Sequence, residues 1–367
     1  MNDLTLLGRW SETPLETWPG FCEEAIAQFR RLSGVTLVPF SFNRKGLHEQ
    51  YYLRSSTDSV FEWYAGKDYS ARQRLSDALI EQYYRDASRL ESFTKMVEGT
   101  NLTRLSNAQL QALLRDWMVL PGRLAAPIFF TLLLDMRFAD ESRMLDILQA
   151  AAEMRDDCTK VYDLRAKPQM SRVYEEYAHR LHMEPEAIWW LFPDELQNAI
   201  EGAPIAVSEQ LKSRIVERRE QFVATYLNNR YVLLSGAEAS AALSQVNIPA
   251  EGTRRKHLQG RGVVGGPVRG RARVVLQQPD FAEFKDGETL VCYQTSITYE
   301  PLFNRASAVL TELGGLTSHA AVICAERGIP CIIGIHDLIA SVNNGAPLAI
   351  DPSLGTVEVL GNTGELP

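Results

Sequence analysis

The stretch "LTELGGLTSHAAVICAERGIPCIIG", residues 310–334, changes character within a few positions. The apolar run at 307–313 reads as a strand. Gly314 and Gly315 follow, and glycine permits turns and close backbone approach that side chains forbid. Thr317 and Ser318 are helix N-cap types. From His319 to Arg327 the small and apolar residues are spaced as in a helix, and Gly328 stands where a C-terminal stop belongs. His319 therefore falls in the first turn of a predicted helix, beside unpaired N–H groups and the positive end of the dipole. Such a junction binds phosphate. The same field lowers the imidazole pKa and keeps the ring neutral and nucleophilic near pH 7. The local pattern leaves two readings open: a phosphoryl-accepting histidine, or a structural histidine after a tight turn.

The sequence around this stretch is strand-rich. "VRGRARVVL", "ETLVCYQT", "PCIIGI", "PLAID" and "TVEVL" are short runs bounded by Gly, Pro or Asp. "YEPLFNRA" reads as a second helix. This predicts a compact α/β domain over 258–367. Arg269, Arg271 and Arg273 alternate along one predicted strand and share a face, which suits a solvated surface or a docking surface for an acidic partner. His336 reads as a loop histidine.

The first two-thirds differ. From about residue 12 to 230 helical periodicity dominates. The segments 70–99, 106–120, 139–166 and 206–234 each read as an amphipathic helix, the second closing at Pro121. Only 34–42 and 49–55 look like strands, as a small hairpin. The most apolar run, "LAAPIFFTLLL" at 124–134, is too short to span a bilayer and reads as a core helix or the wall of a greasy pocket. The stretch 236–257 has little periodicity and reads as a linker. A mostly α-helical domain over 1–235, a linker over 236–257 and an α/β domain over 258–367 are thus expected.

Composition narrows the function. The 367 residues carry 45% hydrophobic and 23% charged residues and a net charge of −8, so a soluble protein with a sizeable core is expected and a nucleic-acid partner is disfavoured. The five cysteines have neither zinc nor redox-motif spacing, so no metal site is expected and reduced thiols in the cytoplasm are. No membrane partner is expected.

"GGLTSHAAVICAERGIPCIIG", with "GRGVVGGPVRGRARVV" upstream and "GAPLAIDPSLGTVEVL" downstream, resembles the mobile phosphohistidine domain of phosphoenolpyruvate (PEP)-utilising enzymes. The family includes PEP synthases, pyruvate phosphate dikinases, rifampin phosphotransferases and glutamine kinases. The resemblance implies a β/β/α swivelling domain in which His319 carries phosphate, steadied by Thr317, Ser318 and the Gly314–Gly315 backbone. It implies an arginine where this chain has Ala325; Arg327 lies two positions on. In the family an ATP-grasp domain loads the histidine from ATP with Mg²⁺, giving AMP and Pi. The helical region lacks a glycine-rich loop between strand and helix, so a separate ATP-grasp nucleotide-binding protein is the expected partner. The order of a helical region before the histidine domain resembles rifampin phosphotransferases and glutamine kinases, where the helices hold a small-molecule acceptor. Arg172, Asp194, Glu195, Arg218 and Arg219 are the candidate acceptor-binding residues. A non-catalytic regulatory module and an autonomous PEP-dependent phosphotransferase stay open as alternatives.

Overall fold

The computed structural model describes residues 2–10, 23–44, 47–138, 141–201, 209–227, 230–247, 254–276 and 278–360. The chain forms two compact units. One comprises Met1–Leu133 and Asp157–Ile248, the other Leu134–Asp156 and Pro249–Pro367.

The first unit is helical but contains a six-stranded sheet. In chain order it contributes β1 (Asn2–Trp10), α1 (Glu23–Ser33), β2 (Pro39–Arg44), β3 (Leu47–Leu53), α2 (Arg54–Ala65), α3 (Tyr69–Glu98) and most of α4 (Asn107–Phe138). Helix α5 (Leu145–Cys158) runs back from the second unit. A π-helical stretch (Thr159–Ala166), α6 (Lys167–Arg180), α7 (Pro193–Glu201), α8 (Glu209–Glu220), β4 (Phe222–Leu227), β5 (Arg230–Ser235), α9 (Gly236–Leu243) and β6 (Val246–Asn247) follow. The strand order is β5-β4-β2-β3-β1-β6. The expected hairpin is β2–β3, in antiparallel register from Pro39↔Tyr52 to Arg44↔Leu47.

Three expectations need correction. The segment 206–234 is not one helix, because α8 ends at Glu220 and "FVATYL" and "RYVLL" pair as β4 and β5. Aromatic and β-branched side chains favour the pleated, half-buried surface, and Phe222 and Val223 are fully buried there. Pro121 does not end its helix. Helix α4 passes through both Pro121 and Pro127, and its apolar side chains Leu124, Phe130 and Leu133 are buried, so packing outweighs the local cost of proline. At 32 residues α4 is long and apolar enough to cross a membrane, yet just over half of its most apolar window is buried inside the protein. Lastly, 236–247 is not linker. Ala239 of α9 is fully buried beside Phe40, Phe42, Tyr51 and Val246, and β6 pairs in parallel with β1. The rest of that stretch, 248–253, lies outside the described residues.

The second unit has the expected α/β character. Strands β7 (His257–Gln259), β8 (Arg261–Val264), β9 (Val268–Val274), β10 (Thr289–Cys292), β11 (Ala308–Thr311), β12 (Cys331–Ile333), β13 (Pro347–Asp351) and β14 (Thr356–Val359) form one sheet, ordered β7-β14-β13-β9-β10-β11-β12-β8. The middle of the sheet, β9-β10-β11-β12, is parallel. The flanking pairs are antiparallel. Central β10 and β11 are buried along their whole length. Two apolar clusters fill the unit. One contains Val291, Leu310, Ile332, Leu348 and Ile350. The other gathers Leu290, Phe303, Val309, Ala320, Ala321 and Cys324. Short α10 (Glu300–Phe303), α11 (His319–Arg327) and α12 (Leu338–Ser341) complete the unit. Gly328 ends α11 as expected, at φ 67°, with Ile329 N–H donating to the Cys324 carbonyl at 3.0 Å.

Candidate active site

Two adjacent parallel strands build the site. Strands β10 and β11 end in register at Cys292↔Thr311. Their pairing continues past both ends, with Glu312 N–H donating to Cys292 O at 3.0 Å and Leu313 N–H to Tyr293 O at 2.7 Å. The two following loops are therefore held together at the carboxyl edge of the parallel strands, where open α/β sheets place their ligands. The loop after β10 carries Thr295, and the loop after β11 runs through Gly314 to Ser318 into α11.

Gly314 sits at φ 118°, and a Cβ there would lie 2.9 Å from the Ser318 Oγ. Only glycine fits both conditions. Ser318 is the N-cap in extended conformation. Its N–H donates to Gly315 O and its carbonyl receives the Val322 N–H, both at 3.0 Å. Its hydroxyl does not cap the helix. The buried Oγ has no partner among the described residues, so its hydrogen-bonding capacity is unused, as is that of the first N–H groups of the helix.

His319 is partly buried. Its Nδ1 lies 3.0 Å from the Thr295 hydroxyl, and its ring meets Phe303 edge-on at 5.5 Å. Burial is the main cause that lowers its pKa below the ordinary imidazole value. Asp156 and Glu300 pull upward, Arg327 pulls downward, and the net direction is down. The net shift favours the neutral ring, with burial leading where the sequence pointed to the helix field. In the tautomer whose Nδ1–H donates to Thr295, Nε2 holds the lone pair and can attack phosphorus.

Thr317 departs from its expected place. Its hydroxyl is buried and donates to Asp135 Oδ1 at 2.7 Å, rather than lying open for phosphate. Arg155 donates to the other Asp135 oxygen at 3.2 Å. Both partners come from Leu134–Asp156, the helical segment that belongs to this unit. Ala325 is exposed, and no arginine replaces it on that face. Arg327 instead reaches Glu300 at 2.8 Å and Asn304 at 2.9 Å, and its charge is still felt at His319.

Of the acceptor candidates, Glu195 and Arg218 are brought together. Glu195 and Arg218 form a two-pronged pair at 2.7 and 2.9 Å, with Arg218 also donating to Trp190 O at 2.9 Å. Arg218 is only 3% exposed. Burial pushes the Glu195 carboxyl up, but the bonds and charge of Arg218 and the Phe192 N–H hold it below the usual carboxylate range. This is an internal brace of the first unit. Arg172 bonds Gln169 at 2.7 Å, and Asp194 and Arg219 are exposed. Arg273 is engaged by Glu288 and Glu283, whereas Arg269 stays exposed. His336 is a surface histidine beside Asp337.

Sequence reasoning missed Thr295, Phe303, Asp135 and Asp156. Thr295 is the last residue of the run 288–295 read as a strand, a position at a strand's carboxyl end that could have singled it out. Asp135 lies 182 residues from Thr317, and no local pattern joins them.

Comparison with known proteins places a family match over the same region. Residues 284–355 match the family described as PEP-utilising enzyme, mobile domain. The chain is 25% identical over 221 residues to the uncharacterized phosphotransferase YvkC of Bacillus subtilis, covering 57% of this chain and 26% of YvkC. It is 32% identical over 219 residues to the uncharacterized protein Rv2047c of Mycobacterium tuberculosis, covering 58% and 24%. With the rifampicin phosphotransferase of Bacillus cereus it shares 29% over 180 residues, covering 48% and 19%. The matched region thus spans about a quarter or less of each of these relatives. The segment 284–355, with His319 at the head of α11, is thus similar to the mobile domain of PEP-utilising enzymes.

Proposed function

We propose that this chain is a phosphotransferase component in which His319 carries a phosphoryl group between a donor site and a small-molecule acceptor. The observation that carries this reading is the His319–Thr295 contact at 3.0 Å, which anchors Nδ1 and turns Nε2 toward reaction. Nε2 attacks phosphorus, the N–P bond forms and the bond to the leaving group breaks. The helix N–H groups and the Ser318 hydroxyl steady the phosphoryl oxygens. The acceptor hydroxyl oxygen then attacks phosphorus, its proton passes to solvent, the N–P bond breaks, and the imidazole leaves neutral with its Nδ1 proton in place.

The donor in this reading is ATP with Mg²⁺, held by an ATP-grasp partner outside these 367 residues. The acceptor binds the helical first region, and the phosphohistidine domain moves between the two sites. The relatives named as phosphotransferases support the chemistry. The test is incubation of the chain with a co-encoded ATP-grasp protein and ATP labelled in turn at the β- and γ-phosphates. Acid-labile, base-stable label on the wild type, absent in His319→Ala, is expected. Label arriving instead from phosphoenolpyruvate with no partner present would replace the ATP-grasp donor. No label from either donor would leave a non-catalytic module.

A further inference from the structure

The Thr317 hydroxyl has one proton to donate, and it goes to Asp135. The contact is buried at both ends, with Thr317 at 6% and Asp135 at 4% exposure. Arg155 fixes the second carboxylate oxygen from α5. Thr317 stands two residues before His319, in the loop that would wrap a phosphoryl group. A phosphoryl group on Nε2 brings up to two negative charges and three strong acceptor oxygens. It would compete with Asp135 for the Thr317 proton. It would also enter a field in which Asp156 and Glu300 already act on the His319 ring against Arg327. Like charges at this range in a partly buried site repel strongly.

We infer that Asp135 is a positioning residue that reads the state of His319: it holds the loop through Thr317 while the histidine is free and releases it when the histidine is phosphorylated. This rests on the phosphohistidine reading above. Phosphorylation and the Asp135–Thr317 hydrogen bond are then mutually exclusive. Charging the histidine loosens the helical segment 134–156 from the loop, and discharging it restores the contact. Discharge is thereby favoured, because the hydrogen bond re-forms as the phosphoryl group leaves.

Phosphoramidate tests this without any partner chain. The imidazole Nε2 attacks its phosphorus, the N–P bond of the reagent breaks, and ammonia leaves. Hydrogen exchange of 134–156 is then compared between free and phosphorylated protein, with phosphohistidine quantified in the peptide that carries His319. In the wild type, phosphorylation is expected to speed exchange in this segment about tenfold, the loss of one buried charge-assisted hydrogen bond. In Asp135→Ala exchange is already fast, and phosphorylation adds nothing. Thr317→Val, which cannot donate, gives the same result and stands in if the alanine variant misfolds. If the wild type labels but phosphorylation leaves exchange unchanged, or changes it equally in Asp135→Ala and Thr317→Val, the inference is overturned and the phosphohistidine reading stands. Absence of label on wild-type His319 overturns both.

Discussion

Two histidines, His48 buried in the first unit and His319 partly buried in the second, have their pKa lowered for the same reason and are built for different ends. His48 on β3 is 1% exposed, packs against Phe222 at 5.2 Å, and is pushed down to about 3 by burial. Neither of its ring nitrogens has a partner among the described residues. His319 is also pushed down chiefly by burial, but its Nδ1 is anchored on Thr295 and its ring opens at a helix N-terminus. Burial makes a histidine neutral; it does not make it useful. A phosphoryl carrier needs one nitrogen fixed, the other accessible, and donors placed for the arriving oxygens.

The largest effect should separate the two outright. His319→Ala is expected to abolish acid-labile phosphoryl label from phosphoramidate in the peptide that carries residue 319, while in His48→Leu that peptide labels at the wild-type rate. Equal labelling of that peptide in wild type and His319→Ala, read by mass after base treatment, would break the comparison at its root.

The next largest concerns what the first unit does with its charges. Removing one member of a buried pair leaves the other unsatisfied, which costs about 3–5 kcal/mol. Arg218→Ala should therefore destabilise the first unit by about that amount and leave His319 labelling intact below the unfolding transition. All six tryptophans, Trp10, Trp18, Trp63, Trp117, Trp189 and Trp190, lie in the first unit, so urea unfolding followed by their fluorescence reports that unit alone. A labelling defect in the still-folded variant would instead return Arg218 to the reaction.

The two sites also differ in how far the sequence revealed them. The junction at His319 is local: strand, glycine turn, cap and helix follow one another within residues 308–328, and each signal favours the same conformation. The C-terminal unit could be read for that reason. The sheet of the first unit is assembled from β1, β2, β3, β4, β5 and β6, so its pairings span most of that unit's sequence. "QFVATYL" directly follows the charged helix "EQLKSRIVERRE", and a helical reading ran through the boundary. Only tertiary burial of Phe222 and Val223 decides it. Pro121 misled in the opposite way, because a strong local stop signal lost to packing along α4. The Asp135–Thr317 contact depends on how distant segments fold together, and no spacing rule reaches it.

A smaller effect turns the sealed histidine into a pH readout. The His48 pKa is lowered when folded, so its contribution to stability is fully present above the unfolded value of about 6.5 and is lost as pH falls from there toward 3. At pH 5 the unfolded ring takes up a proton that the folded ring refuses, which costs about 2 kcal/mol relative to pH 7. His48→Leu removes that slope. Urea midpoints from tryptophan fluorescence at pH 7 and pH 5 should move further apart in wild type than in the variant. Identical spacing in both would mean that His48 is protonated in the folded protein.

The smallest effect probes the anchor that sets His319 apart. Thr295→Val keeps the shape of the side chain but removes the oxygen facing Nδ1, so the ring can turn and populate the tautomer whose Nε2 carries the proton. Losing one such hydrogen bond is worth about a tenfold fall in labelling rate. The pH profile adds a second readout. Only the neutral ring attacks, so the rate is high above the folded pKa and falls as pH drops through it. Burial holds that inflection below about 6.5 in the wild type. Thr295→Val should lower the plateau and leave the inflection below 6.5, because the main cause of the shift, burial, is unchanged. If the variant instead moved the inflection up to 6.5 with an unchanged plateau, Thr295 would be excluding water from the ring rather than fixing its tautomer, and the anchored nitrogen would cease to be what separates His319 from His48.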